Sequence, residues 1–395
     1  MSKPLSGIRV LELGQFIAGP FAGLQLADLG AEVIKIEKPG IGDAFRQFGV
    51  GKTADGYSHN FCAFNRNKKS LSLDVTTPAG AEAFRRLAAQ ADVVLENFRP
   101  GVMARLGLDS ASLRATAPQL VYCSIAGFAA DGPGADRPAY DAVGQAVSGL
   151  LSLLVEPEDP RVLGPTISDQ MTGMQAASGI LGALFERHRT GRGAHVEVTM
   201  VEATMSLIPD FFTAWTQAGI TMGPESRSAV SLSFAFRCAD ERLVAIHVSS
   251  IEKFWLALLA AVERPELNTD PRFCDRRSRV RNYRLLVEEL RAVFAQRPST
   301  EWVERLGAAD VPAAGVNSVP EAMQDPEVEH LRLFHRMTHP QFGEQTMMHR
   351  SVRINGERES DPTLPPVLGE HSDAVLGDFG FSSAEIATLR GSRVV

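Results

Sequence analysis

Apolar and polar positions along the chain follow two periods in alternation. Ile8 to Leu13 is an apolar run of strand length that stops at Gly14. Beyond Gly19-Pro20, apolar residues recur at Phe21, Leu24, Leu26 and Leu29 with Gly30 behind them, which is helical spacing with a helix stop. Val33 to Glu37 is a second strand-like run. Strand, helix and strand in this order form a βαβ unit, which requires a parallel sheet and a binding crevice at the carboxyl ends of its strands. Further strands are expected at Ser70 to Val75, Asp92 to Glu96 and Leu120 to Ile125. A helix is expected from Pro78 to Gln90, with shorter helical pieces between Val102 and Ala115. The pattern is that of an α/β domain.

A Gly164-Pro165 break precedes Ser168-Asp169, and the apolar positions Met171, Met174, Ile180, Leu181 and Leu184 then read as a helix. Thr190-Gly191-Arg192-Gly193 is a turn, Ala194 to Thr199 a strand and Val201 to Ala218 a helical stretch. The pattern then changes. Met222 to Ser231 is polar and reads as a linker, Phe234 to Val248 alternates like a hairpin, and helices are expected at Ile251 to Val262, Tyr283 to Gln296 and Thr300 to Leu306. Strand-like pieces and a last helix at Ser383 to Arg390 close the chain. We therefore divide it into a large domain over 1–221, a small α+β domain over 222–325 and a returning segment over 326–395. No internal repeat or low-complexity tract interrupts this division.

Composition changes little in this picture. The 395 residues exceed one ordinary core, and 44% hydrophobic with 22% charged content is that of a soluble globular protein. A net charge of −7 argues against nucleic acid or an anionic membrane as partner. The first residues lack the apolar segment of a signal peptide, and no run approaches the length of a membrane span, so a cytoplasmic protein is expected. Cys62, Cys123, Cys238 and Cys274 are too dispersed for a zinc knuckle or redox pair and are expected as reduced thiols.

Several candidate chemistries can be set aside. Glu37 at the end of the second strand invites a ribose-gripping role, but Gly14 and Gly19 do not spell a dinucleotide fingerprint and Lys38 follows the acid. Gly51-Lys52-Thr53 resembles the end of a P-loop, yet Arg46 stands where that motif needs glycine. His335 and His339 have metal-pair spacing, but Pro340 opposes a helix there and no carboxylate completes a set, so no metal is expected. No Gly-x-Ser-x-Gly elbow is present. What stays is Asp169. Locally it reads as a capping residue; at a helix start its carboxylate is expected to be ionised at neutral pH.

Taken together, the motifs resemble the class III CoA-transferases, also called CaiB/BaiF. The resemblance runs through Leu5-Ser6-Gly7-Ile8-Arg9-Val10-Leu11-Glu12, Ala18-Gly19-Pro20, Leu29-Gly30-Ala31-Glu32-Val33-Ile34-Lys35-Ile36-Glu37 and Asn65-Arg66-Asn67-Lys68-Lys69-Ser70. It continues in Glu96-Asn97-Phe98-Arg99-Pro100-Gly101, Arg137-Pro138-Ala139-Tyr140-Asp141, Asp169 with Thr172-Gly173-Met174, Thr190-Gly191-Arg192-Gly193 and Leu368-Gly369-Glu370-His371. It implies a Rossmann-like large domain built from both chain ends, a smaller middle domain and an interlocked-ring homodimer. It also implies that Asp169 is the catalytic carboxylate, carrying coenzyme A from an acyl-CoA donor to a carboxylic acid acceptor through an aspartyl anhydride and an aspartyl-CoA thioester. By position it assigns CoA contacts to Gln15, Ala18, Lys38, Asn97, Phe98 and Arg105, adds Arg137 as a further phosphate contact, and puts Ile17, Tyr140 and Asp141 at the acyl end.

The chain also departs from the family pattern. The glycine run of formyl-CoA transferases is missing around Arg227 to Phe236, and Ile17 stands where they carry glutamine, so oxalate is not the expected acceptor. Tyr140-Asp141 replaces the His-Asp of the racemase branch, which favours transfer over epimerisation. An acyl-CoA racemase is the alternative reading, and a nicotinamide-dependent oxidoreductase a more distant one.

Overall fold

The computed structural model describes residues 3–48, 56–249, 251–358 and 362–395; Gly51-Lys52-Thr53 lies outside the described residues. The chain forms two compact units, one from Met1–Leu151, Gly164–Pro209 and Arg332–Val395, the other from Ser152–Leu163 and Asp210–Leu331. The breaks thus fall at 209/210 and 331/332, and Ser152–Leu163, placed by pattern in the large domain, clusters with the second unit.

In the first unit, the elements run β1 (Arg9–Glu12), α1 (Ala18–Asp28), β2 (Glu32–Glu37), α2 (His59–Asn65), β3 (Lys68–Ser72), α3 (Pro78–Ala88) and β4 (Val93–Glu96). They continue with α4 (Val102–Arg105), α5 (Ser110–Thr116), β5 (Val121–Ala126), α6 (Asp141–Val147), α7 (Ile167–Thr190), β6 (His195–Thr199) and α8 (Met200–Met205). All six strands are parallel, in the order β3-β2-β1-β4-β5-β6. Alternate side chains of β1, β2, β4 and β5 enter different cores. Leu11, Ile34, Val94 and Tyr122 pack with Phe84, Leu87 and Leu113 on one face. Val10, Val33, Val93 and Cys123 pack with Ala22, Leu26, Ala176 and Ile180 of α1 and α7 on the other. This two-sided burial is what a parallel sheet covered by helices demands.

Pattern reading treated 201–218 as one helix. The chain instead makes α8 and then α9 (Pro209–Ala218), because Pro209 has no N-H to continue the α8 ladder. The supposed linker contains α10 (Ser226–Ser231). The second unit then folds as a three-stranded antiparallel sheet of β7 (Ser233–Arg237), β8 (Leu243–His247) and β9 (Ala313–Gly315), against α11 (Glu252–Ala261), α12 (Arg276–Arg281), α13 (Tyr283–Phe294) and α14 (Ser299–Ala308). Phe236, Phe294 and Trp302 stack at its centre. α15 (Val319–Ala322) and α16 (Pro326–Leu331) lead back to the first unit.

There, β10 (Phe334–His339) and β11 (Gly343–Met348) form a hairpin, followed by α17 (Ser372–Asp378) and α18 (Ser383–Gly391). His335 and His339 therefore sit on a paired strand. Among the described residues no three His, Cys, Asp or Glu side chains are grouped to hold a metal, and no helix is long and apolar enough to cross a membrane. The four cysteines are unpaired.

Candidate active site

The sheet order reverses between β1 and β4, and at such a switch point the loops leaving the two strands splay apart to leave a crevice. The β1 loop is drawn tight. A Cβ on Gly14 would lie 3.0 Å from the Cα of Gly19, and one on Gly19 would lie 2.9 Å from the Cα of Gly14, so only glycine fits at either point. From the β4 side, the Asn97 amide grips Gln15 twice, accepting from its N-H at 2.9 Å and donating to its carbonyl at 2.9 Å. Phe16 is held at a φ of 62°, a left-handed conformation costly for a bulky residue, while its N-H donates to Asp43 at 3.1 Å.

Beneath this loop lies a closed charge network. The Lys35 ammonium meets Glu12 at 3.1 Å and Asp43 at 2.9 Å, and donates to the Gly14 carbonyl at 2.7 Å; Lys68 reaches the other Glu12 oxygen at 2.7 Å. Glu37 is claimed by Arg46 at 2.7 and 2.8 Å and by the Ser70 hydroxyl at 2.7 Å. That arrangement removes its ribose-gripping reading, since its oxygens are already taken up within the fold. Burial opposes the charged form of Lys35, but Asp43, Glu12 and Glu37 outweigh it and hold its pKa above the ordinary lysine value. For Glu37, the Arg46 contacts overcome burial and hold the carboxyl below its usual range.

With the Gln15 and Phe16 N-H groups occupied, the loop's remaining donors are at the start of α1. There Ile17 is the cap residue and supplies no side-chain hydrogen bond, leaving the first-turn N-H groups of Ala18 and Gly19 uncapped by any side chain; the third helical residue is Pro20. Across from them, α7 brings Asp169 in its first turn. Close packing fixes that turn. A Cβ at Gly173 would come 2.7 Å from the Ala18 carbonyl, and a Cβ at Gly144 would come 2.5 Å from both the Ser168 hydroxyl and the Met200 sulfur. The Ser168 hydroxyl also bonds that of Thr204.

Asp169 does not cap its helix. Asp141 does, its Oδ1 accepting from the N-H groups of Ser168 at 2.8 Å and Asp169 at 3.2 Å, while its Oδ2 accepts from Gln145 at 2.6 Å. The expectation that the helix start keeps Asp169 ionised is therefore corrected. Burial, and next the negative charge of Asp141, push its pKa up to about 7. The donors that would have lowered it are spent on Asp141 instead.

Asp169, Gln15, Ile17, Ala18, Asn97, Phe98, Arg137 and Tyr140 all line one cavity of about 350 Å³. Asn97 faces it with its amide already engaged by Gln15. The Arg137 guanidinium sits 4.8 Å from the Phe128 ring centroid, and the exposed Tyr140 ring meets Phe16 edge-on at 5.8 Å. Lys38 and Arg105 are not in this wall: the Lys38 ammonium lies 3.6 Å from Asp74, and Arg105 is exposed beside Gly101. Asp141 acts from behind the wall.

Sequence reading missed Arg99, an exposed cation in the same wall, and Phe16 and Phe128, which shape it. Arg99 was legible as the centre of the Asn97 to Gly101 motif. For Asp43, which sets Phe16, no signal existed.

A cavity that holds a buried carboxylate, helix-start donors free of side-chain caps and two arginines has the groups to take an anionic substrate. The family model for CoA-transferase family III matches residues 5–372. The succinyl-CoA:glutarate CoA-transferase of Mus musculus is 33% identical over 95% of this chain and 86% of its own length. The acetyl-CoA:oxalate CoA-transferase of Acetobacter aceti is 35% identical over 82% of this chain and 83% of its own length. A CAIB/BAIF family protein of Brucella suis superimposes with a TM-score of 0.83 at 30% identity, covering 96% of this chain and all of that structure (100%).

Proposed function

Since the chain belongs to CoA-transferase family III, we propose that it moves coenzyme A from an acyl-CoA to a small carboxylic acid by covalent catalysis on Asp169. The observation that carries this reading is the placement of Asp169 in one cavity with the uncapped start of α1. The Asp169 carboxylate attacks the donor thioester carbonyl, and the tetrahedral oxyanion collapses with cleavage of the C–S bond. This leaves a mixed anhydride and a CoA thiolate. The thiolate then attacks the aspartyl carbonyl, displacing the donor carboxylate and forming an aspartyl-CoA thioester. The acceptor carboxylate attacks that thioester to give a second anhydride and thiolate; the thiolate takes the acceptor's acyl carbon and frees Asp169. No proton is consumed, and the thioester bond energy is conserved throughout.

The N-H groups of Ala18 and Gly19 are our candidates for the oxyanion donors, because those of Gln15 and Phe16 are engaged. Arg99 and Arg137 supply positive charge for the substrate phosphates, with Lys38 and Arg105 proposed for the outer nucleotide. Ile17 and Tyr140 offer apolar surface to the acyl group. The relatives are named for different acids, glutarate and oxalate among them, so we propose an acceptor no narrower than a small carboxylic acid. Hydroxylamine or borohydride added after incubation with acyl-CoA is expected to modify Asp169. An unmodified Asp169 in protein that still turns over would sink the mechanism.

Acid pH should suppress the reaction. Only the carboxylate attacks, and with a pKa of about 7 its fraction falls as pH drops below that value. Single-turnover rates are therefore expected to rise through the neutral range. In Asp141→Asn the amide oxygen still accepts from α7 while the neighbouring charge is gone, so the rising limb moves to lower pH. An unmoved limb would show that Asp141 does not set it.

The homodimer belongs to the same proposal. α9 has no buried residue, and Trp215 is 59% and Ile220 52% exposed, large apolar surfaces of the kind a partner covers. A single-chain mass by light scattering would remove it.

A further inference from the structure

A second cavity, of about 830 Å³, opens on the other side of the Asn97 to Gly101 turn and contains polar groups that the transfer chemistry leaves unused. Glu96 ends β4 and is 7% exposed. Among the described residues no lysine or arginine forms an ion pair with it. Its Oε2 accepts from the Phe98 N-H at 2.8 Å, and Ser124 stands beside it on β5 in the strand register. Ser124 in turn lies 3.0 Å from Nε2 of His195 on β6, whose ring stands edge-on to Tyr122 at 5.6 Å. Burying an acid without a cation is expensive, and burial pushes the Glu96 pKa up to about 7. An apolar residue would pack here at less cost. What the acid adds is a hydrogen bond to the backbone between Asn97, which clamps Gln15, and Arg99, which faces the acyl-CoA cavity.

We propose that Glu96 is a positioning residue whose hydrogen bond to the Phe98 N-H fixes the Asn97 to Gly101 turn and so shapes the acyl-CoA wall of the active site. The inference rests on the proposed CoA transfer. The Glu96 side chain need not touch substrate, because it acts through the Phe98 N-H.

The test is steady-state kinetics with acyl-CoA, with CoA affinity measured by calorimetry on the same proteins. In Glu96→Ala the turn loses its fixed acceptor; the KM for acyl-CoA is expected to rise roughly five- to tenfold and kcat to stay within about twofold, the effect of one lost hydrogen bond. Glu96→Gln keeps an oxygen for the Phe98 N-H, so it should restore KM to within about twofold of the parent. Glu96→Met, which fills the volume without an acceptor, should raise KM to a similar degree, and it serves if Glu96→Ala does not fold. An unchanged KM in these variants, a glutamine variant as impaired as the alanine one, or a fall in kcat with KM unaltered would each overturn the proposal. Parent protein that neither transfers nor binds CoA would instead remove the function on which it rests.

Discussion

Asp169→Asn is expected to lower kcat by roughly 10⁴-fold or more and to leave no trappable acyl-enzyme, the scale seen when a covalent nucleophile is removed. The amide has nearly the shape of the carboxylate but cannot form an anhydride. The same variant should be more stable than the parent at alkaline pH. In the fold the Asp169 pKa is raised to about 7 from 3.8, so the acid's contribution to stability is fully present below pH 3.8 and lost as pH rises through 7. An asparagine has no charge to bury. The gap in melting temperature between variant and parent should therefore open between pH 4 and 8, in favour of the variant. A variant that is inactive and also less stable at pH 8 would mean that structural damage, not lost chemistry, explains the result. Substantial residual transfer in a stable variant would move the nucleophile elsewhere.

Lys35→Ala should cost about 3–5 kcal/mol of stability, because it strips a buried cation from Glu12 and Asp43 and leaves those acids less compensated. Chemical denaturation of the full chain reads the loss. The acids give the experiment its control. Protonation relieves an unpaired buried carboxylate, so the deficit should shrink toward pH 4. In the parent the Lys35 contribution is fully present below the ordinary lysine value of 10.5 and is lost only as pH rises through the elevated pKa, so it should be flat across the neutral range. A deficit independent of pH would indicate lost packing rather than lost charge pairing. Because Asp43 also receives the Phe16 N-H, surviving folded protein should show a loosened β1 loop and a raised KM for acyl-CoA.

The central sheet was legible because a strand buried on both faces leaves an apolar run that composition cannot disguise; β1, β2, β4 and β5 were each placed within a residue or two of their ends. The start of α7 was legible from Gly164-Pro165. Less visible were features set by contact rather than by period. The break at Pro209 fell inside a run whose spacing stayed helical, and α10 is six residues of mixed polarity with no stripe to detect. At the site, the place of Asp169 in the first turn of α7 could be read, but its ionisation could not. That property depends on which acid reaches the helix N-H groups, and Asp141 lies 28 residues away in sequence. Lys38 shows the converse: a cation at a strand end, well placed by motif, whose nearest charged partner is an aspartate outside the cavity.

The Gly14–Gly19 contact and the two-handed grip of Asn97 on Gln15 also bear on how this enzyme could be retuned. One wall of its cavity is a backbone pressed against itself, where nearly any added atom collides. That wall has little room to drift. Under the proposed function, selection for a new acid, in nature or in a laboratory library, is channelled toward side chains in the opposite wall, the exposed Tyr140 first, and away from loop insertions at the end of β1.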